Sequence, residues 1–337
     1  MGAGSVGCFI GGALQQVPGA EVHLIGRPRV LEALRQHGLT LTDLDGGHSA
    51  LPAPTLRLHD APPAGSGTAP SLVLLCVKSG ATADAAAALA RAVPPGTPVL
   101  SLQNGVGNAQ AARAAAPGLR VLAGMVPFNI AQLGPGHWHR GTSGRLAAED
   151  DPVLRAWAPS FAAAGLPLQL HADLQPLQWG KLLLNLNNPV NALSGLPLRA
   201  QLLDHGYRSV LAALQTEALT ALRAAGIRPA RVGAAAPALM PLLLRLPTPL
   251  FRRVAARMLR IDDQARSSMA DDLALRRPTE IDALCGEVVR LAARHGQAAP
   301  LNQRLCRWLT EAPETGVPAA RMRERLYAHP DERPRDA

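Results

Sequence analysis

The opening stretch MGAGSVGCFIGG places glycines at positions 2, 4 and 7, and an apolar helical pattern follows without a break. In a dinucleotide-binding fold the first glycine of such a G-x-G-x-x-G turn permits the tight reversal. The second lets backbone approach a pyrophosphate, and the third lets the helix pack closely on the sheet. The phosphates then sit at the helix N-terminus, where unpaired N–H groups and the helix dipole favour an anion. Alone the motif is a weak signal. Here a strand-like EVHLI (21–25) follows at the right distance. The turn also expects a strand before it, and only Met1 precedes Gly2. A sheet lacking its central strand would leave neighbouring backbone groups unpaired. The expectation is therefore that Met1 ends a first strand that begins upstream of the sequence as written.

Up to about Asp173, short apolar runs alternate with Ala-rich helical stretches. CFIGGALQQVPG reads as a helix ending near Gly19. SLVLLCVK, bounded by Pro70 and Lys78, reads as a buried parallel strand. ATADAAAALARAV continues as a helix, TPVLSLQNG as strand and loop, and LRVLAGMV as another strand. This β-α-β alternation predicts a doubly wound parallel sheet. The Pro/Ala/Gly/Ser-rich piece Ala50–Ser71 reads as a surface loop. From Gln175 strand signals vanish, and Leu- and Ala-rich helical patterns run to about Pro313. The predicted organisation is an α/β domain over 1–173, a helical domain over 174–313 with a cleft between the two, and a charged, frayed tail over 314–337.

At the end of EVHLI a site for an unphosphorylated dinucleotide would place an acid on the ribose hydroxyl. The sequence instead reads Gly26-Arg27-Pro28-Arg29. No carboxylate is present to repel a ribose phosphate, and the Arg27 guanidinium is able to hold one. The expected cofactor is NADPH rather than NADH; a basic loop of no consequence is the alternative.

Composition excludes other classes. The net charge of +9 invites a nucleic-acid reading, but the arginines are scattered and aromatics make up only 3%, so no stacking platform is visible. No basic-then-apolar leader is present, and the most apolar run, Gly233–Leu244, is short and carries Pro237 and Pro241. Neither a membrane nor nucleic acid is an expected partner. Cys8, Cys76, Cys285 and Cys306 form no C-x-x-C pair, which fits a reduced, cytoplasmic chain and no zinc site. His137 and His139 alternate on a strand-like HWH, but no third ligand lies near in sequence, so no metal is expected. The sequence is silent on oligomeric state and leaves a homodimer open.

One compositional fact is sharper. Among 34 basic residues only two are lysines, Lys78 and Lys181. Arginine does not give up its proton in a protein, whereas a desolvated lysine serves as an acid or base. Lys181 lies in QWGKLLLNLNNPVNAL, read as one helix with Lys181, Asn185 and Asn188 at i, i+4 and i+7 on one face. An ammonium and two amides on one stripe suit an anionic, oxygen-rich molecule, although asparagine amides also often bridge backbone. Downstream, RSSM (266–269) precedes RRPTEIDALCGEVVRLAARHG. Thr279 reads as an N-cap, Glu280 as a dipole partner at the helix start, and Ile281, Leu284, Cys285, Val288 and Ala292 as the buried stripe.

Taken together, the glycine turn, CVKSG around Lys78, LQNGVGN around Asn104, WGKLLLN around Lys181, and SSM followed by PTEID resemble the ketopantoate reductase family (2-dehydropantoate 2-reductases) over nearly the whole chain. The resemblance implies an NADPH-binding Rossmann domain, a helical C-terminal domain and reduction of ketopantoate to (R)-pantoate for pantothenate and coenzyme A synthesis. Gly2, Ala3, Gly4, Ser5, Val6 and Gly7 would hold the pyrophosphate and Arg27 the ribose phosphate. Lys78 would lie near the cofactor, and Asn104 would touch nicotinamide ribose and substrate. Lys181 would be the general acid. Asn185, Asn188 and Ser268 would hold the substrate's carboxylate and hydroxyl, and Glu280 would link cofactor, substrate and Lys181.

Two departures accompany the resemblance. The asparagine before Pro189 comes one residue earlier, relative to Lys181, than the family's usual spacing, which leaves its facing open. Where the family often has Pro-Asn, this chain has Pro197-Leu198, and a lost amide alters substrate choice. The segment MPLLLRLPTPLF also lengthens the helical part. Reduction of a different branched 2-oxo acid, or a non-catalytic NADP(H)-binding paralogue, are the alternative readings.

Overall fold

The computed structural model describes residues 1–63, 71–233, 235–256, 258, 259 and 264–328. The chain divides into two compact units, Met1–Gln175 and Pro176–Ala337.

In the first unit the glycine turn feeds α1 (Ser5–Gln15), whose apolar side buries Phe9, Ile10 and Leu14. Strand β1 (His23–Ile25) follows, then α2 (Pro28–His37), which opens on a proline and closes at Gly38 with φ +70°. Strands β2 (Leu39–Asp43), β3 (His48–Leu51), β4 (Arg57–His59) and β5 (Val73–Leu75) come next. They are followed by α3 (Thr82–Ala92), β6 (Pro98–Ser101), α4 (Asn108–Ala115) and β7 (Arg120–Met125). The unit closes with β8 (Ile130–Gly134), β9 (His137–Arg140), β10 (Leu146–Glu149), α5 (Pro152–Ala163) and β11 (Leu168–His171).

The strands form three sheets: β1-β4, β11-β10-β7-β6-β5 and β3-β2-β9-β8. Pairing of β5, β6 and β7 is parallel, as the apolar runs predict; β10 runs antiparallel to β7, and β11 parallel to β10. The expected Ala50–Ser71 loop is corrected. Its first residues end β3, and Arg57–His59 form β4, paired parallel with β1. Residues 64–70 of that stretch lie outside the described residues. The backbone of residues 1–3 is hydrogen-bonded on two sides. The Met1 amino group donates to Leu74 O and the Met1 carbonyl accepts from Cys76 N, both at 2.8 Å, while the N–H groups of Gly2 and Ala3 donate to Ile25 O.

All regular secondary structure among the second unit's described residues is helical. It contains α6 (Gln175–Asn185), α7 (Asn187–Ser194), α8 (Leu198–Leu203) and the long α9 (His205–Ala224). Then come α10 (Met240–Leu244), α11 (Thr248–Val254), α12 (Ser268–Ala274), α13 (Glu287–Arg294), α14 (Pro300–Glu311) and α15 (Ala319–Tyr327). The Asp204 carboxylate caps α9 by accepting from Gly206 N at 2.6 Å. The α9 stripe Tyr207, Val210, Leu211, Leu214, Ala218, Ala221 and Leu222 is buried, and α7, α8, α10, α13, α14 and α15 pack around it. Each fully buried leucine there contributes about 1.5–3 kcal/mol. Arg208, fully buried, fastens MPLLLRLPTPLF to α9. Its guanidinium donates to Leu202 O, Leu244 O and Leu246 O at 2.9–3.0 Å and lies 4.2 Å from the Phe251 ring centre.

Three expectations for this unit are corrected. QWGKLLLNLNNPVNAL is two helices, not one: the turn at Leu186 separates α6 from α7. Pro189 has no N–H for the Asn185 carbonyl, and its ring crowds that carbonyl. Thr279 is not an N-cap; helix begins at Ile281 and passes through a π-helical turn over Asp282–Gly286 before α13. Part of the expected frayed tail over 314–337 is α15, which buries Met322 and Leu326 at i and i+4; residues 329–337 lie outside the described residues. The stripe Ile281, Leu284, Cys285, Val288 and Ala292 is buried as read.

Candidate active site

In the first unit the glycine turn, Arg27, Lys78 and Asn104 are drawn together by backbone bonds at the ends of β1, β5 and β6. Gly2 has φ +95°, and a Cβ there would stand 2.5 Å from Val77 N. A Cβ on Gly7 would overlap the Gly2 carbonyl. At Gly4 a Cβ would meet nothing within 4 Å. Two glycines therefore let the chain fold, and the third leaves clear space at the start of α1, where the first N–H groups lack intrahelical acceptors. Ile25 O holds the Gly2 and Ala3 N–H groups, so Arg27, two residues on and exposed as the N-cap of α2, stands beside the turn. Behind the turn, burial pushes the thiol of Cys8 up to about 12 and that of Cys76 to about 11. Both stay neutral and add no negative charge behind the turn.

Lys78, half-buried, follows β5 and opens a short 3-10 turn over Ser79–Ala81. Asn104 lies in a loop that needs left-handed glycines, Gly105 at φ +91° and Gly107 at +88°. The Asn104 carbonyl accepts from Ser79 Oγ at 3.0 Å and from Asn108 Nδ2 at 2.7 Å. Thr82 Oγ1 accepts from Gln103 Nε2 at 2.6 Å and donates to Ser79 O at 2.8 Å, while Ser101 Oγ donates to Gln103 Oε1 at 2.7 Å. Ser101, Gln103 and Thr82 are buried. This polar chain binds the Lys78 turn to the Asn104 loop. Sequence reading missed it, because Gln103 and Asn108 stand inside LQNGVGN with no signal that both bond the Thr82 hydroxyl.

The second unit carries the other candidates. Lys181 is half-buried on α6, and Asn185 follows one turn later. Burial pushes the Lys181 ammonium down from 10.5 to about 8, and the nearby Glu280 carboxylate works against that shift. Two attachments fix α6: Ala230 N donates to Pro176 O at 2.8 Å, and the buried Gln215 Nε2 to Leu183 O at 2.9 Å. Next to Lys181, a Cβ on Gly180 would overlap the Ala230 carbonyl. The amides of Asn185 and Asn188, both half-buried, make no hydrogen bond among the described residues. Asn187 differs: its Oδ1 accepts from the fully buried Gln201 at 3.1 Å. Of the two adjacent asparagines, Asn187 is thus taken up by the scaffold. Ser268 is exposed as the first residue of α12, while Ser267 is buried and caps that helix. His137 and His139 both face the Thr42 hydroxyl, at 3.0 and 2.9 Å.

Residues 1–151 match the family model described as Ketopantoate reductase PanE/ApbA, and residues 173–312 match its C-terminal counterpart. A 2-dehydropantoate 2-reductase of Halobacterium salinarum is 30% identical over 310 residues, covering 90% of this chain and 94% of that one. The chain belongs to the ketopantoate reductase family. Among solved structures, a PanE/ApbA family ketopantoate reductase from Ralstonia eutropha JMP134 superposes with a TM-score of 0.76 at 32% identity, covering 92% of this chain and 96% of that chain. The 2-dehydropantoate 2-reductase of Geobacter metallireducens GS-15 gives 0.75 at 26% identity, covering 93% and 98%. The family is one of NAD(P)H-dependent oxidoreductases.

Proposed function

We propose that this chain catalyses NADPH-dependent reduction of 2-dehydropantoate to (R)-pantoate, in the cytoplasm, as a step toward pantothenate and coenzyme A. The observation that carries this reading is the Lys181 ammonium: burial brings it down to about 8, beside Glu280 and on the helix that also bears the uncommitted amide of Asn185. A proton donor works best when its pKa lies near the working pH.

The residues fit a phosphorylated dinucleotide. The open side of Gly4 and the start of α1 suit a pyrophosphate, and the exposed Arg27 beside them suits a ribose phosphate. Lys78 and Asn104, tied together through Ser79, flank the same turn. When bound, the reduced nicotinamide supplies a hydride to the substrate's carbonyl carbon. The Lys181 ammonium stabilises the negative charge that develops on the carbonyl oxygen and gives it a proton, so that the ketone becomes an alcohol. Glu280 favours the protonated lysine against the cost of burial. Asn185 and Asn188 donate amide hydrogens to the substrate's carboxylate and hydroxyl oxygens, and Ser268 adds a hydroxyl.

A second reading, reduction of a different branched 2-oxo acid, is favoured by Leu198. It stands where a relative would offer an amide, and its backbone N–H is held by Ala265 O at 2.8 Å. The test is NADPH oxidation measured with 2-dehydropantoate beside a panel of branched 2-oxo acids. The reading predicts the highest kcat/KM for 2-dehydropantoate, at or above about 10⁴ M⁻¹s⁻¹. A roughly tenfold preference for another acid, equivalent to about 1.4 kcal/mol, would select the second reading. No turnover of any acid by a folded, NADPH-binding chain would select the non-catalytic paralogue.

A further inference from the structure

Three separate pieces of the second unit meet at one buried amide. Asn191 is fully buried on α7, three residues beyond Asn188. Its Oδ1 accepts the Ser267 N–H at 2.9 Å, and its Nδ2 donates to Leu196 O at 2.9 Å. Ser267 in turn caps α12 by accepting from Ala270 N at 3.2 Å, and its hydroxyl donates to the Asn188 carbonyl at 3.3 Å. The loop after α7 is stitched to the same place by Leu198 N donating to Ala265 O. Asn188, Leu198 and Ser268 are thus each one to three residues from this junction, and none can move far along its own element while the junction holds.

We propose that Asn191, acting with Ser267, is a positioning residue that sets the spacing between Asn188, Ser268 and the Leu198 loop, and thereby the fit of the 2-oxo acid. This rests on the reading that those positions face the substrate. Both side chains spend their hydrogen bonds on backbone, so neither touches the substrate itself. Removing either leaves buried backbone groups unpaired and frees two of the three pieces to shift. The consequence belongs to substrate binding, because the pieces joined at this junction carry Asn188, Leu198 and Ser268, and none of these three is among the proposed cofactor residues.

The test compares Asn191→Ala, Ser267→Ala and Ser267→Thr with the wild type, and with Asp204→Ala as a control that removes another helix cap in the same unit. Each is assayed on the 2-oxo acid that the wild type reduces fastest, with NADPH Kd measured separately by fluorescence. A different best substrate therefore overturns the assigned reaction, while the KM ratios still decide the positioning. Asn191→Ala and Ser267→Ala should raise KM for the acid about tenfold or more, with NADPH Kd inside about twofold. Ser267→Thr, which keeps both hydroxyl bonds, should restore KM, and Asp204→Ala should leave it unchanged. The proposal falls if KM stays within about twofold in both alanine variants, or if Asp204→Ala raises it equally. Where Asn191→Ala yields no folded protein, the Ser267→Ala and Ser267→Thr pair decides by the same criterion.

Discussion

Arg27 and Lys181 show how little a residue's type reveals until its surroundings are known. Arg27 is one of many arginines, but it stands exposed beside the glycine turn because Ile25 O ties the strand end to Gly2 and Ala3. A charge-assisted contact to a phosphate is worth about 2 kcal/mol, roughly thirtyfold in affinity. Arg27→Ala should therefore weaken NADPH binding by about that factor and leave NADH binding nearly unchanged, as read by fluorescence titration. Equal losses for both cofactors would remove Arg27 from the phosphate, and a wild type preferring NADH would reverse the cofactor assignment. The rarity of lysine drew attention to Lys181 in the sequence, but its lowered pKa depends on burial and on Glu280, about a hundred residues away in the chain. No local pattern carries that information.

At the scale of elements, the glycine turn separates sterics from binding. Gly7→Ala drives a methyl group into the Gly2 carbonyl, an overpacking that costs about 1–3 kcal/mol, and should lower the melting temperature. Gly4→Ala meets open space and should leave melting unchanged while weakening NADPH binding, because the methyl group occupies the phosphate's approach. Calorimetry and titration of the two variants check this, and a Gly4→Ala variant that binds NADPH as well as wild type would displace the pyrophosphate from the turn. Apolar runs made β5, β6 and β7 legible, since buried parallel strands read as continuous hydrophobic stretches. Strand β4 was illegible: Arg57-Leu58-His59 is short and polar, and only its pairing with β1 makes it a strand. The break between α6 and α7 was written in Pro189 but overridden by the regular spacing of Lys181, Asn185 and Asn188. The roles of Asn191, Ser267 and Gln201 were hidden because they bond partners 5, 14, 76 and 79 residues away.

On the scale of the whole molecule, the proposed cofactor residues other than Glu280 fall in Met1–Gln175, and the proposed acid and the substrate residues other than Asn104 in Pro176–Ala337. Family models match both stretches, and no helix among the described residues is long and apolar enough to cross a membrane. This division makes a separable prediction: damage to the second set should cost turnover without costing cofactor affinity. The most direct measurement is therefore the pH dependence of 2-dehydropantoate reduction by wild type and Lys181→Ala, with NADPH Kd taken alongside. Lys181 donates only when protonated, so wild-type kcat/KM should hold below and fall above a pH of about 8. Lys181→Ala should lose roughly a hundredfold to ten-thousandfold in kcat across the range while keeping its NADPH affinity. A flat wild-type profile, or a variant that retains its turnover, would contradict Lys181 as the proton donor and with it the proposed chemistry.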